Sequence, residues 1–221
     1  LPTLLVTGAN RGLGLELVRQ YAAAGWRVHA ACRRPDRAAG LDRLRGEIVL
    51  HRLDVTDAGQ IAALRAAIGG ESLDLLVNNA GIRLRFGHND VEEWMTTLRV
   101  NAVAPLQVTE QLLDRLQPGG MVVNMSSRLG SIAENNASDS WAYRASKAAL
   151  NMVTRSLAVE LAARRIIVVS LTPGWVRTDM GGPSAPLSPP ESVAALRQVI
   201  GRLTLADSGR FFNHEGKELP W

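Results

Sequence analysis

Thr3-Leu4-Leu5-Val6-Thr7-Gly8-Ala9-Asn10-Arg11-Gly12-Leu13-Gly14 is the stretch whose reading decides the fold. Its first five residues read as a buried strand, and residues 15–24, stopped by Gly25, read as a helix. A strand that ends in a glycine loop and passes into a helix is the local unit of a dinucleotide-binding α/β sheet. Gly8 permits the sharp turn, Gly12 lets the backbone approach a pyrophosphate, and Gly14 lets helix and strand pack closely. The amide groups opened at the helix start attract an anion. The spacing G-x-x-x-G-x-G is a variant of the general G-x-G-x-x-G fingerprint, so it carries weight only through the strand before it and the helix after it.

Working outward, short apolar runs recur at 27–32, 48–53, 73–77, 120–125 and 166–171, with a last one near 210–213, and helical patterns lie between them. Such alternation predicts one doubly wound α/β domain of the Rossmann type over residues 1–221, with a mostly parallel, about seven-stranded sheet flanked by helices. The helix expected over 90–116 contains Pro105, whose missing amide would leave the carbonyl of Asn101 free to hold a water; an incidental polar kink would look the same. The Pro/Gly/Ser-rich segment 181–190 looks the most flexible, and the stretch near 178–190 is expected to cover a substrate.

In open parallel sheets ligands collect at the carboxyl ends of the strands. The second strand ends at Arg33-Arg34 with no acid, which argues for a 2′-phosphorylated dinucleotide, NADP(H) over NAD(H), with Arg11 as a second cation. A solvated basic turn before Pro35 is the plainer account. Asp54, beside Val55, suits either an adenine amino group or a loop contact, and Thr56 or Asp57 caps the next helix. Asn78-Asn79-Ala80-Gly81 suits a tight turn beside a ligand. Ser126-Ser127 follows the fifth strand, Pro173-Gly174 the sixth, and Trp141 and Trp175 are candidate pocket walls.

Tyr143 and Lys147 stand four residues apart on a predicted helix and so share a face. A phenol is a poor proton carrier at neutral pH unless a cation lowers its pKa, and Lys147 is placed to do so. Lysine is against the habit of this chain: of 25 Lys and Arg residues only Lys147 and Lys217 are lysine. A compact ammonium offers several donors from one point, which a planar guanidinium does not.

Composition limits the alternatives. The chain has 221 residues, 46% of them hydrophobic, enough for a full core in one domain. Its net charge is +4, but the arginines are scattered with no run of five basic residues, which argues against nucleic acid. Cys32 is the single cysteine, which fits a reducing compartment, and no apolar run is long enough for a bilayer. Residues 1–3 run straight into a strand, leaving no room for a signal peptide, so a cytoplasmic location with no membrane partner is expected.

Taken together, Thr7-Gly8…Gly12-x-Gly14, Asn78-Asn79-Ala80-Gly81, Asn101, Ser127, Tyr143-x-x-x-Lys147 and Pro173-Gly174 resemble the short-chain dehydrogenase/reductase family over essentially the whole chain. Tyr143 to Asn151 and the ending Gly216 to Trp221 are similar to the branch of that family that holds C-factor and the Sniffer carbonyl reductase. The resemblance implies a catalytic tetrad of Asn101, Ser127, Tyr143 and Lys147, acting on a small carbonyl substrate with NADP(H) and without a metal. It also implies cofactor contacts from Gly8, Asn10, Arg11, Gly12, Leu13, Gly14, Arg33, Asp54, Val55, Asn79, Ala80, Gly81, Tyr143, Lys147, Pro173, Gly174, Val176 and Thr178. The helices bearing Asn101 and Tyr143 are apolar or small on more than one face, which suits a homodimer or homotetramer.

Overall fold

The computed structural model describes residues 1–38, 40–84 and 90–221. Its centre is a seven-stranded sheet in the order β3-β2-β1-β4-β5-β6-β7, parallel throughout. The strands are β1 (Thr3–Thr7), β2 (Arg27–Cys32), β3 (Ile48–Arg52), β4 (Leu73–Asn78), β5 (Leu116–Met125), β6 (Ile167–Thr172) and β7 (Phe211–Asn213). The helices are α1 (Gly12–Ala23), α2 (Ala58–Ile68), α3 (Val91–Leu98), α4 (Ala104–Gln111), α5 (Trp141–Glu160) and α6 (Pro189–Ile200). Every residue of β1 and β6 is buried, as expected where helices cover both faces of a parallel sheet.

Alternation along the strands splits the core in two. Leu4, Val6, Val28 and Ala30 face α1 and α6, while Leu5, Ala31, Leu76 and Val122 face the helices of the other side. The strand order reverses beside β1, so the crevice at its carboxyl end lies between the loops after β1 and β4.

Two expectations are corrected. The region 90–116 is not one kinked helix: α3 passes through a π turn, Arg99–Val103, into α4, which ends at Gln111. Pro105 sits in the first turn of α4, where a missing amide is tolerated, and the wider turn before it is closed by the Ala104 amide on the Arg99 carbonyl five residues back. Strand β5 starts at Leu116, ahead of the Pro118-Gly119-Gly120 turn signal, and its pairing with β4 shifts register there.

The segment after β6 is tied down. Val176 bridges Leu187, the Arg177 amide donates to the Leu187 carbonyl at 2.8 Å, and the Arg177 guanidinium donates to the carbonyls of Ala185 and Pro186. Ser188 then caps α6 through a reciprocal capping box with Glu191.

Candidate active site

The ends of β1 and β4 are fastened to each other. Thr7 Oγ1 accepts from the amides of Asn79 and Ala80, both at 3.0 Å, and Asn79 Nδ2 donates to the Thr7 carbonyl at 2.9 Å. This tie leaves no room for side chains in the glycine loop. A Cβ on Gly14 would stand 2.2 Å from the Gly8 carbonyl oxygen and 2.6 Å from Asn79 Nδ2. Gly8 has φ 68° and faces the Ala80 backbone. Helix α1 begins at Gly12 with no side chain capping its amides, so the first turn is open to an anion.

Five loops meet at this edge of the sheet. Thr178 stands beside Gly12, with its Cγ2 3.4 Å from where a Cβ would be. Pro173 accepts from Ser192 Oγ at 2.7 Å, and Gly174 takes φ 81° where a side chain would strike Leu187. Arg33 and Asn10 are exposed, Leu13 and Val55 lean on the two cores, and Val176 is buried. Asp54 Oδ1 accepts from the amide and hydroxyl of Thr56, so one carboxylate oxygen is committed to its own turn, and Asp57 is the cap of α2. Arg11 is ion-paired with Asp179 at 2.8 Å, both side chains largely exposed, a weak surface pair that a phosphate could displace.

The expected tetrad converges at the adjoining strand ends. Of the two serines, Ser126 is buried and donates to Asn151 Oδ1 at 2.7 Å, whereas Ser127 is half-buried beside Tyr143. Ser127 is brought there by a close approach that sequence reading missed: a Cβ on Gly130 would lie 2.8 Å from the backbone of Lys147. Lys147 is buried and donates to the Met125 carbonyl at 2.7 Å, its Nζ 5.8 Å from the Tyr143 ring centre. Asn101 is fully buried; it clamps the backbone of Ile82 and donates to Ser146 Oγ at 3.0 Å. Gly81 leaves space between them, since a Cβ there would sit 3.3 Å from Asn101 Oδ1 and 3.6 Å from Lys147 Nζ.

Electrostatics bring in a residue that was not expected. Burial pushes the Tyr143 phenol upward, and what opposes it is hydrogen bonding by Ser127 and the charge of Arg83, whose Cζ is 5.6 Å from the ring centre. Lys147 stands at a similar distance, its Nζ 5.8 Å from the ring centre, and burial draws its own pKa down to about 8. Arg83 lies two residues past Asn79-Ala80-Gly81, and nothing in that spacing marks it among the scattered arginines. Trp141 and Trp175 are both exposed, with indole N–H groups bonded to the carbonyls of Ser138 and Gly181.

The glycine cradle, the open first turn of α1 and the gap beside Gly81 fit a dinucleotide, whose phosphates would meet the amides of α1 and whose ribose would meet Tyr143 and Lys147. Among the described residues no group of three His, Cys, Asp or Glu side chains is arranged to hold a metal.

Comparisons agree with this geometry. A family model described as short chain dehydrogenase matches residues 2–186. The chain is 44% identical over 154 residues to C-signal of Myxococcus xanthus, covering 67% of this chain and 93% of that protein. Among solved structures, carbonyl reductase Sniffer of D. melanogaster superposes with a TM-score of 0.93 at 36% identity, covering all of both chains. The NADPH-bound carbonyl reductase from chicken fatty liver superposes with a TM-score of 0.94 at 35% identity, covering 100% of this chain and 99% of that one.

Proposed function

The chain belongs to the short-chain dehydrogenase family, and on that premise we propose that it is an NADPH-dependent reductase of aldehyde, ketone or quinone carbonyl groups. The observation that carries the reading is the convergence of Ser127, Tyr143, Lys147 and Asn101 beside the glycine cradle of β1. A bound NADPH supplies the hydride. The Ser127 hydroxyl holds and polarises the substrate oxygen, and Tyr143 delivers the proton to it. Lys147 offers an ammonium beside the gap at Gly81, where a ribose hydroxyl would accept from it. Asn101 fixes the loop that carries Arg83 and, through Ser146, the helix turn that carries Tyr143. Arg33, with no acid at the end of β2, supports NADP(H) over NAD(H).

The test is NADPH and NADH oxidation with a panel of aldehydes, ketones and quinones. Tyr143→Phe is expected to keep NADPH binding and lose turnover, and Arg33→Asp to shift preference toward NADH; turnover surviving in Tyr143→Phe refutes the acid. A second reading, a dinucleotide-binding signalling protein with little turnover, draws on the likeness to C-signal and is favoured if no carbonyl compound is reduced.

The reading extends to a cytoplasmic homodimer or homotetramer. Met95 and Val103 are exposed beside an apolar groove of about 570 Å³ formed by α3, the π turn, α4 and α5, a surface that a second copy would cover. Among the described residues no helix is long and apolar enough to cross a membrane. Light scattering after size exclusion reads the oligomeric state.

A further inference from the structure

We propose that Arg83 selects carbonyl substrates that carry a carboxylate near the reacting carbonyl. The proposal rests on the carbonyl-reductase reading of the same site and names its substrate class.

The charges around Tyr143 do not balance. Among the described residues Arg83 and Lys147 stand by its ring, Arg144 follows it in α5, and the one carboxylate paired with any of the three is Asp139. Asp139 is taken mainly by Arg144, which donates to Oδ1 at 2.7 Å and to the Asp139 carbonyl at 2.8 Å; Arg83 reaches Oδ2 only at 3.5 Å. Glu134, the next acid along the loop, is paired with Arg128 at 2.6 Å, and Lys147 donates to a neutral carbonyl. One aspartate thus serves two arginines, Lys147 is paired with no carboxylate among the described residues, and a reduced nicotinamide ring would add no negative charge beside them.

Arg83 also keeps donor capacity in reserve. Nη2 donates to Ser140 Oγ at 2.7 Å, but the buried Nε has no hydrogen-bond partner, and Nη1 makes no hydrogen bond to a described residue. The side chain remains 27% exposed beside a phenol that must meet the substrate oxygen. A buried N–H without a partner is costly, and a guanidinium satisfies a carboxylate with two parallel donors. A substrate anion would supply what Asp139 does not. The plainer alternative is that Arg83 serves only to fix Ser140, which takes a left-handed φ of 54° just before α5. In that case its loss would affect every substrate alike.

The experiment compares phenylglyoxylate with its methyl ester. Binding of each to the NADP-loaded protein is measured by calorimetry, and reduction of each is followed by NADPH oxidation. The wild type is expected to favour the acid roughly tenfold or more, chiefly in Kd and KM, with an advantage that shrinks as salt is raised. Arg83→Gln should bring the acid-to-ester ratio close to one, and Arg83→Lys should restore part of it. A wild type without preference for the acid, or a preference that survives Arg83→Gln, overturns the proposal, and reduction of the ester then shows that the carbonyl-reductase reading still stands. If neither compound nor any of the wider panel is reduced, that reading fails, while the binding ratio still judges the anion site. Should Arg83→Gln not fold, the salt dependence of the wild-type ratio decides: a preference indifferent to salt overturns the role of Arg83.

Discussion

Asn101 grips Ile82 from both sides: its Oδ1 accepts from the Ile82 amide and its Nδ2 donates to the Ile82 carbonyl, each at 2.8 Å. The clamp joins the π turn to the loop that carries Arg83, and the third bond of Asn101, to Ser146, continues to the Tyr143 carbonyl. A wide turn in a helix thereby holds two parts of the site at once. Asn101→Ala would leave a half-buried amide and carbonyl of Ile82 without their partner. It is expected to cost about 2–4 kcal/mol in urea denaturation and to lower turnover as well. A variant as stable as the wild type would show that water replaces the clamp.

Lys147 carries the second prediction. Its pKa is drawn from 10.5 to about 8 by burial, so the folded state holds fewer protons than the unfolded one between those values. The stability of the free protein should therefore rise with pH across that window, and the ammonium should be lost from the site above about 8. With lysine labelled at 13Cε there are two side-chain signals, since the chain has two lysines. One should titrate near 8 and vanish in Lys147→Met; two midpoints near 10.5 would contradict it.

Gly14→Ala should be far worse than a glycine substitution in open space. The new methyl would meet the Gly8 carbonyl at 2.2 Å, and the tie between Thr7 and Asn79 leaves that carbonyl nowhere to move. A loss of roughly 2–4 kcal/mol and of NADPH binding is expected. Gly70→Ala, with nothing within 4 Å of its Cβ, serves as the control and should lie within about 0.5 kcal/mol of wild type.

Beneath α2, away from the candidate site, His29 Nδ1 meets His51 Nε2 at 2.8 Å, and His29 Nε2 meets Glu71 at 3.1 Å; Glu71 and Glu47 also pair with Arg27. Both rings neutral satisfy this chain of bonds. Burial, and then the neighbouring His29, draw His51 down to about 4 from 6.5. Because the folded pKa lies below the unfolded one, stability is intact above about 6.5 and is lost as pH falls toward 4. Allowing for solvent screening, the loss should be about 1–2 kcal/mol. Urea midpoints of wild type and His51→Asn at neutral and acid pH measure it, and equal acid sensitivity would sink the assignment.

The order of strands and helices and the strand-end positions of most candidate residues were legible because each depends on local pattern. A buried strand needs a short apolar run, a tight turn needs glycine, and Tyr143 and Lys147 share a face through helix pitch alone. The break at Pro105 was legible as a disturbance but not as a π turn, since the width of a helical turn depends on what packs around it. Arg83 was not legible at all. One arginine among many becomes significant only when Asn101 clamps the residue before it and α5 brings Tyr143 beneath its guanidinium. Likewise, that Lys147 would lie buried against Met125, with Arg83 as a further cation beside the phenol, follows from burial and distance. The sequence by itself determined which chemical groups stand at the edge of the sheet. Only the tertiary structure decided which of them share a charge, because desolvation and Coulomb attraction depend on separations that no residue spacing contains.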